Sequence, residues 1–236
     1  MSKEFLTPKK IITGKGAIED SIKYLAQMGK KPLIVTGRIV SGLDALTHAV
    51  EAYTSKQAQP LTDALALSAV KRIFKYLPIA YADGENETAI YEMSIAALEA
   101  GICINNSSVT IVHGMSRPIG ALFHVPHGLS NAMLLCKCMD FAKDGAAERF
   151  AQLSRAVGTA DAADSDETAA DKFIDGLFDI CRKCEVPTIA DYGIDIDKFI
   201  AAIPKMTADA LASGSPANTR KSVGADDISA IYKALI

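Results

Sequence analysis

The strongest constraint on this chain is a change of texture near Gly42. Before it, the pattern reads as strand, helix, strand. Lys10-Ile11-Ile12 is expected as a short strand, and Thr13-Gly14-Lys15-Gly16 as a turn. A helix from Ala17 to Met28 puts Ile18, Ile22, Leu25 and Ala26 on one face. Gly29 ends it, and a second strand over 31–36 stops at Gly37. After Gly42 the apolar residues recur at helical spacing to the end of the chain. Helices are expected over 43–54, 60–82, 88–104, 109–122, 129–141, 146–157, 167–184, 195–206 and 226–235. Two parallel strands and one helix do not make a stable sheet layer, and parallel sheets are covered on both faces. The expectation is therefore a mainly α protein: a helical domain over 42–236, preceded over 1–40 by an incomplete βαβ unit.

Composition agrees. Alanine is abundant, tryptophan is absent, and hydrophobic residues make up 49% of the chain, which favours helices. The formal net charge of −3 and a pI near 5.8 come with no basic patch, so nucleic acid is not an expected partner. No apolar run has the length of a membrane span. The opening M-S-K-E-F-L-T-P-K-K lacks the apolar core of a secretory signal. Five cysteines, an odd number, are expected as reduced thiols in a cytoplasm. Cys181-Arg-Lys-Cys184 has no second such pair nearby and reads as helix packing, as does Cys136-Lys-Cys138. Gly14-Lys15-Gly16-Ala17 could cradle a phosphate at a helix start. It lacks the third glycine of a dinucleotide fingerprint, so a tight turn is the simpler reading.

Three of the four histidines and one aspartate form two marked pairs. Asp44 and His48 stand four apart in G-L-D-A-L-T-H-A-V-E-A-Y, on one helix face. His113 and His127 stand fourteen apart in V-H-G-M-S-R-P-I-G-A-L-F-H-V-P-H-G. One carboxylate and three imidazoles form a donor set for a divalent first-row metal. His113 and His127 meet only if the chain between them folds back, and Pro118 and Gly120 are the expected bend. His124 is expected in solvent or behind the ligands.

These segments, with Pro60–Ala64, Ala100–Asn106, the opening I-I-T-G-K-G-A and P-L-I-V-T-G, resemble the iron-containing (group III) alcohol dehydrogenase family along essentially the whole chain. The resemblance implies that residues 1–40 are a remnant of a Rossmann-like nucleotide-binding domain. It implies Asp44, His48, His113 and His127 as ligands of Fe(2+), or of Zn(2+), which suits the same donors. It implies a small alcohol or aldehyde as substrate, NAD or NADP as hydride carrier, and a homodimer or larger homo-oligomer. Ile104 takes a position that is aromatic in some relatives and borders the substrate pocket. Arg117 takes a position, four after His113, that is a histidine near the nicotinamide in many relatives, although some relatives also read H-G-M-S-R-P.

One departure is large. Between the second strand and the D-A-L-T-H helix the family carries the rest of its nucleotide-binding domain, including the Gly-Gly-Gly-Ser turn that holds the pyrophosphate. Nothing between Gly37 and Gly42 replaces it, so no cofactor-binding residue is identifiable. Three functions follow. The first is a metal-dependent NAD(P) oxidoreductase, if the missing region exists in the protein. The second is a non-redox metal-binding helical remnant. The third, weaker, is a metal-dependent lyase of the dehydroquinate synthase-like fold, which the D-A-L-T-H and H-G-M motifs disfavour.

Overall fold

A computed structural model describes residues 4–14, 16–28 and 40–236. Ten α-helices appear among these residues: α1 (Ala17–Met28), α2 (Val40–Thr54), α3 (Pro60–Ala82), α4 (Glu87–Ser107), α5 (Ile111–Phe123), α6 (His127–Ala142), α7 (Ala147–Val157), α8 (Asp166–Lys183), α9 (Ile196–Ala212) and α10 (Ala225–Lys233). The described residues contain no sheet. Their one β-type pairing is an isolated antiparallel bridge between Ser55 and Thr219. The mainly α expectation holds.

Helix starts follow local chemistry. Asn86 Oδ1 accepts the Ala89 N–H at 3.0 Å, Ser165 Oγ accepts that of Thr168 at 3.2 Å, and Asp195 Oδ1 accepts that of Lys198 at 3.1 Å. Each satisfies a donor that the first helical turn leaves open. Pro60 occupies the first turn of α3, where its missing N–H costs nothing. Gly158 ends α7 in the left-handed conformation at φ 79°.

The core is organised around α2, which packs on α3, α4 and α6. Leu46, Ala49, Val50 and Ala52 are all fully buried. A helix covered on several sides has little need of a polar face, so the small residues of α2 let its neighbours approach. Beyond it, α7 pairs with α8, α5 packs on α6 and α9, and α9 on α10. Phe150, Phe173, Phe199 and Tyr232 fill the larger gaps and are fully buried.

Two expectations need correction, the strand at Lys10-Ile11-Ile12 and the end of the helix that begins near Asp195. Lys10-Ile11-Ile12 is not a strand: residues 10–13 have no regular structure and no ladder partner among the described residues. The second strand, 31–36, and the junction at 37–39 lie outside the described residues. Pro78 sits inside α3, which runs to Ala82 as expected. α9 runs past its expected end at residue 206 to Ala212, because buried Thr207 and Ala210 extend its packed face; the backbone hydrogen bond lost at Pro204 is outweighed by that burial.

The turn before α1 closes on itself, with Gly14 at φ 109° and Gly16 at φ 83° and the Ala17 N–H donating to the Gly14 carbonyl at 3.1 Å. All five cysteines are free and buried. Burial pushes the Cys103 thiol up to about 12 and the Cys184 thiol to about 11, which makes them packing groups rather than nucleophiles. No single described helix is long and apolar enough to cross a membrane.

Candidate metal centre

Three helices bring polar side chains to a common point. On α2, Asp44, His48 and Glu51 follow at i, i+4 and i+7 and share a face. On α5 the first turn carries His113, and on α6 the first residue is His127. One ligand atom from each of Asp44, His48, His113 and His127 lies within 4.8 Å of the other three. Asp44 Oδ1 stands 3.8 Å from His48 Nε2 and 3.7 Å from His127 Nε2. The His48 and His113 rings stack at 4.7 Å between centroids, and His113 and His127 are 5.2 Å apart. An ion bonded at about 2.0–2.2 Å to each donor spans such separations with small side-chain adjustment, so the donor set fits one divalent metal.

The reversal that joins His113 to His127 is not at Pro118 and Gly120. α5 runs straight through both to Phe123. The corner is His124-Val125-Pro126, with His124 in the left-handed conformation at φ 57° and its side chain in solvent. Gly114 has another task. A Cβ there would lie 2.7 Å from Pro216, so only glycine lets the turn over Ser215–Asn218 close on α5.

Two residues of the centre escaped the sequence reading. Glu51 is fully buried. Its carboxylate accepts hydrogen bonds from the Thr110 hydroxyl and the Val112 N–H, both at 2.7 Å, and a short one from His113 Nδ1. Burial alone would raise this carboxyl. Electrostatic attraction to His113 and its hydrogen bond, with the Thr110 bonds, outweigh it and hold Glu51 below its ordinary value. Because Nδ1 donates to Glu51, His113 presents the lone pair of Nε2 to the centre, the usual carboxylate support of a metal-bound imidazole. The second residue is Asn131, one turn after His127 and fully buried. Its spacing from His127 repeats that of Asp44 and His48, the one signal that could have found it. Glu51 could have been found by extending the Asp44–His48 stripe by another turn.

The centre is closed on one side and open on the other. The His113 side chain is 4% exposed and that of His127 52%. Burial holds the His48 and His127 imidazoles below their ordinary value, so they are neutral donors near pH 7. Arg117, one turn beyond His113, has its guanidinium 3.2 Å from Ser215 Oγ, and its charge further disfavours protonation of His127. Ile104 sits on α4, partly buried against the core, outside the ligand cluster.

A sequence profile of the Fe-containing alcohol dehydrogenase family, C-terminal part, matches residues 38–236. The chain belongs to this family. Among curated relatives of this dehydrogenase family, a choline dehydrogenase of Bacillus subtilis is 34% identical over 177 residues, 75% of this chain and 44% of that protein. A 1,3-propanediol dehydrogenase of Klebsiella pneumoniae is 34% identical over 208 residues, 86% of this chain and 53% of that protein. The crystal structure of a 1,3-propanediol oxidoreductase superposes with a TM-score of 0.80 at 33% identity, covering 84% of this chain and 51% of that one. The chain thus spans about half the length of the relatives it matches.

Proposed function

We propose that this chain is the metal-binding part of an NAD(P)-dependent dehydrogenase that interconverts a small primary alcohol or diol with its aldehyde. Residues 42–236 would form the metal-binding domain and residues 1–40 part of the nucleotide-binding one. The observation that carries the reading is the convergence of Asp44, His48, His113 and His127 on one point, supported by membership of the family.

These four would hold Fe(2+), or Zn(2+). When bound, such an ion acts as a Lewis acid, polarising a carbonyl or favouring ionisation of a hydroxyl. The protein's own contribution is positional. Asp44 offsets part of the ion's charge, and Glu51 fixes the tautomer and aim of His113. The open edge at His127 is where substrate would enter. Arg117 and Ile104 would border the substrate pocket. A fixed guanidinium beside His127 repels cations, so choline, the substrate named in one relative, is disfavoured here against neutral diols and aldehydes. NAD or NADP would be held by nucleotide-binding elements outside the metal-binding domain. A homo-oligomer in the cytoplasm, without membrane or nucleic-acid partners, is the accompanying proposal.

A second reading, a metal-binding body without redox activity, draws on the absence of a glycine-rich pyrophosphate turn between Gly37 and Gly42. One experiment separates the two. The chain is loaded anaerobically with Fe(2+), its bound metal counted, and NAD(H) and NADP(H) titrated with and without 1,3-propanediol. One metal per chain with alcohol-dependent nucleotide reduction supports the dehydrogenase. One metal with no nucleotide binding supports the second reading, and no metal overturns both.

A further inference from the structure

Asn131 stands where a metal ion would compete with it. Its amide nitrogen lies 2.7 Å from Asp44 Oδ1, 3.1 Å from His113 Nε2 and 3.2 Å from His127 Nε2. These atoms belong to three of the four candidate ligands. A carboxamide –NH2 has two hydrogens, so it cannot satisfy all three acceptors at once. Its other end is unpaired: Asn131 Oδ1 is buried with no hydrogen-bond partner among the described residues. Turning the amide over would not help, because the oxygen would then face the Asp44 carboxylate, acceptor against acceptor. A buried polar atom left unpaired is costly, so the amide's orientation is set by what its nitrogen gains from the ligands.

We propose that Asn131 is a positioning residue that competes with the ion. Its –NH2 draws Asp44, His113 and His127 together through the lone pairs that a divalent cation would take. The cage therefore keeps its shape without metal, at the cost of metal affinity. The inference rests on the metal-centre reading above. It adds that the centre's affinity is deliberately below what its four ligands could reach, so the ion is exchangeable.

The test compares the wild-type chain with Asn131→Leu, which keeps the branched shape and removes both donors, and Asn131→Ala, which removes the amide altogether. Zn(2+) affinity is measured by competition with a chromogenic chelator, and thermal unfolding is followed with and without Zn(2+). The proposal expects both variants to bind Zn(2+) about tenfold more tightly, the scale of one lost charge-assisted hydrogen bond. It expects a lower melting temperature for the metal-free variants and a nearly unchanged one for the loaded forms. A merely structural Asn131 would lower both melting temperatures and leave affinity equal or weaker, and that result overturns the proposal. If the wild type binds no Zn(2+) or Co(2+), the metal-centre reading itself fails. If the wild type binds and the variants bind no more tightly, only the role of Asn131 fails.

Discussion

Helices α1 and α8 carry similar amphipathic patterns and meet different fates. On α8, Phe173 and Leu177 are fully buried against the body of the protein. On α1, Ile18 remains 73% exposed and Ile22 59%. The open cleft that residues 8–17 form with α4, about 1050 Å³, exposes further apolar groups at Ile11, Ile90 and Tyr91. An apolar stripe specifies a helix and the need for a partner. It does not supply the partner. In residues 42–236 the helices that carry the centre, α2, α5 and α6, find partners within the chain, and that packing lets them aim side chains at one point.

The largest test of this contrast is Phe173→Ala, which should cost about 3–5 kcal/mol in urea unfolding, the usual range for a large buried aromatic. Nearly as large is Glu51→Ala. It strips partners from Thr110, Val112 and His113 inside the protein and should cost roughly 3 kcal/mol. It should also weaken metal binding by about 10- to 100-fold, the range seen when support behind a ligand is lost. Stability of the body should also fall with acid. His48 and His127 lie below the ordinary histidine value of 6.5, so the unfolded chain takes up protons first. Their contribution is complete above pH 6.5 and declines as pH falls towards their folded values. Glu51 acts in the same direction lower down: its contribution is complete above 4.5 and is lost as pH falls through its depressed folded value. A melting temperature that rose between pH 7 and pH 5.5 would contradict this. The smallest effect is expected at Ile18→Ala, within about 0.5 kcal/mol, as for exposed sites generally. A loss there as large as that of Phe173→Ala would break the comparison, since it would mean that α1 is covered in solution.

Much of this was legible in advance. The helices of the body follow from apolar spacing, and Pro60–Ala82 is found at its expected ends. The convergence of Asp44, His48, His113 and His127 was legible because histidine is scarce in this chain and falls in glycine- and proline-marked motifs. What stayed hidden depends on tertiary context. Pro118 looks like a break, yet like Pro78 and Pro204 it sits inside a helix whose packing outweighs one missing hydrogen bond. Lys10-Ile11-Ile12 has strand-like residues, yet has no ladder partner among the described residues. Glu51 and Asn131 are ordinary polar residues on helices until folding places them against His113 and Asp44. The cavity-sized cleft beside α4 is equally silent in sequence, being defined by what does not fill it.

The i, i+4 spacing shared by Asp44 with His48 and by His127 with Asn131 has a genetic consequence. Each residue added to an α-helix turns everything beyond it by about 100°. Conservative exchanges elsewhere on α2 or α6 leave the aim of these side chains intact. A single codon inserted between Asp44 and His48, or between His127 and Asn131, would point one partner away from the other while leaving helix content almost untouched. Lineages of this protein should therefore tolerate substitutions along these helices far better than changes in their length.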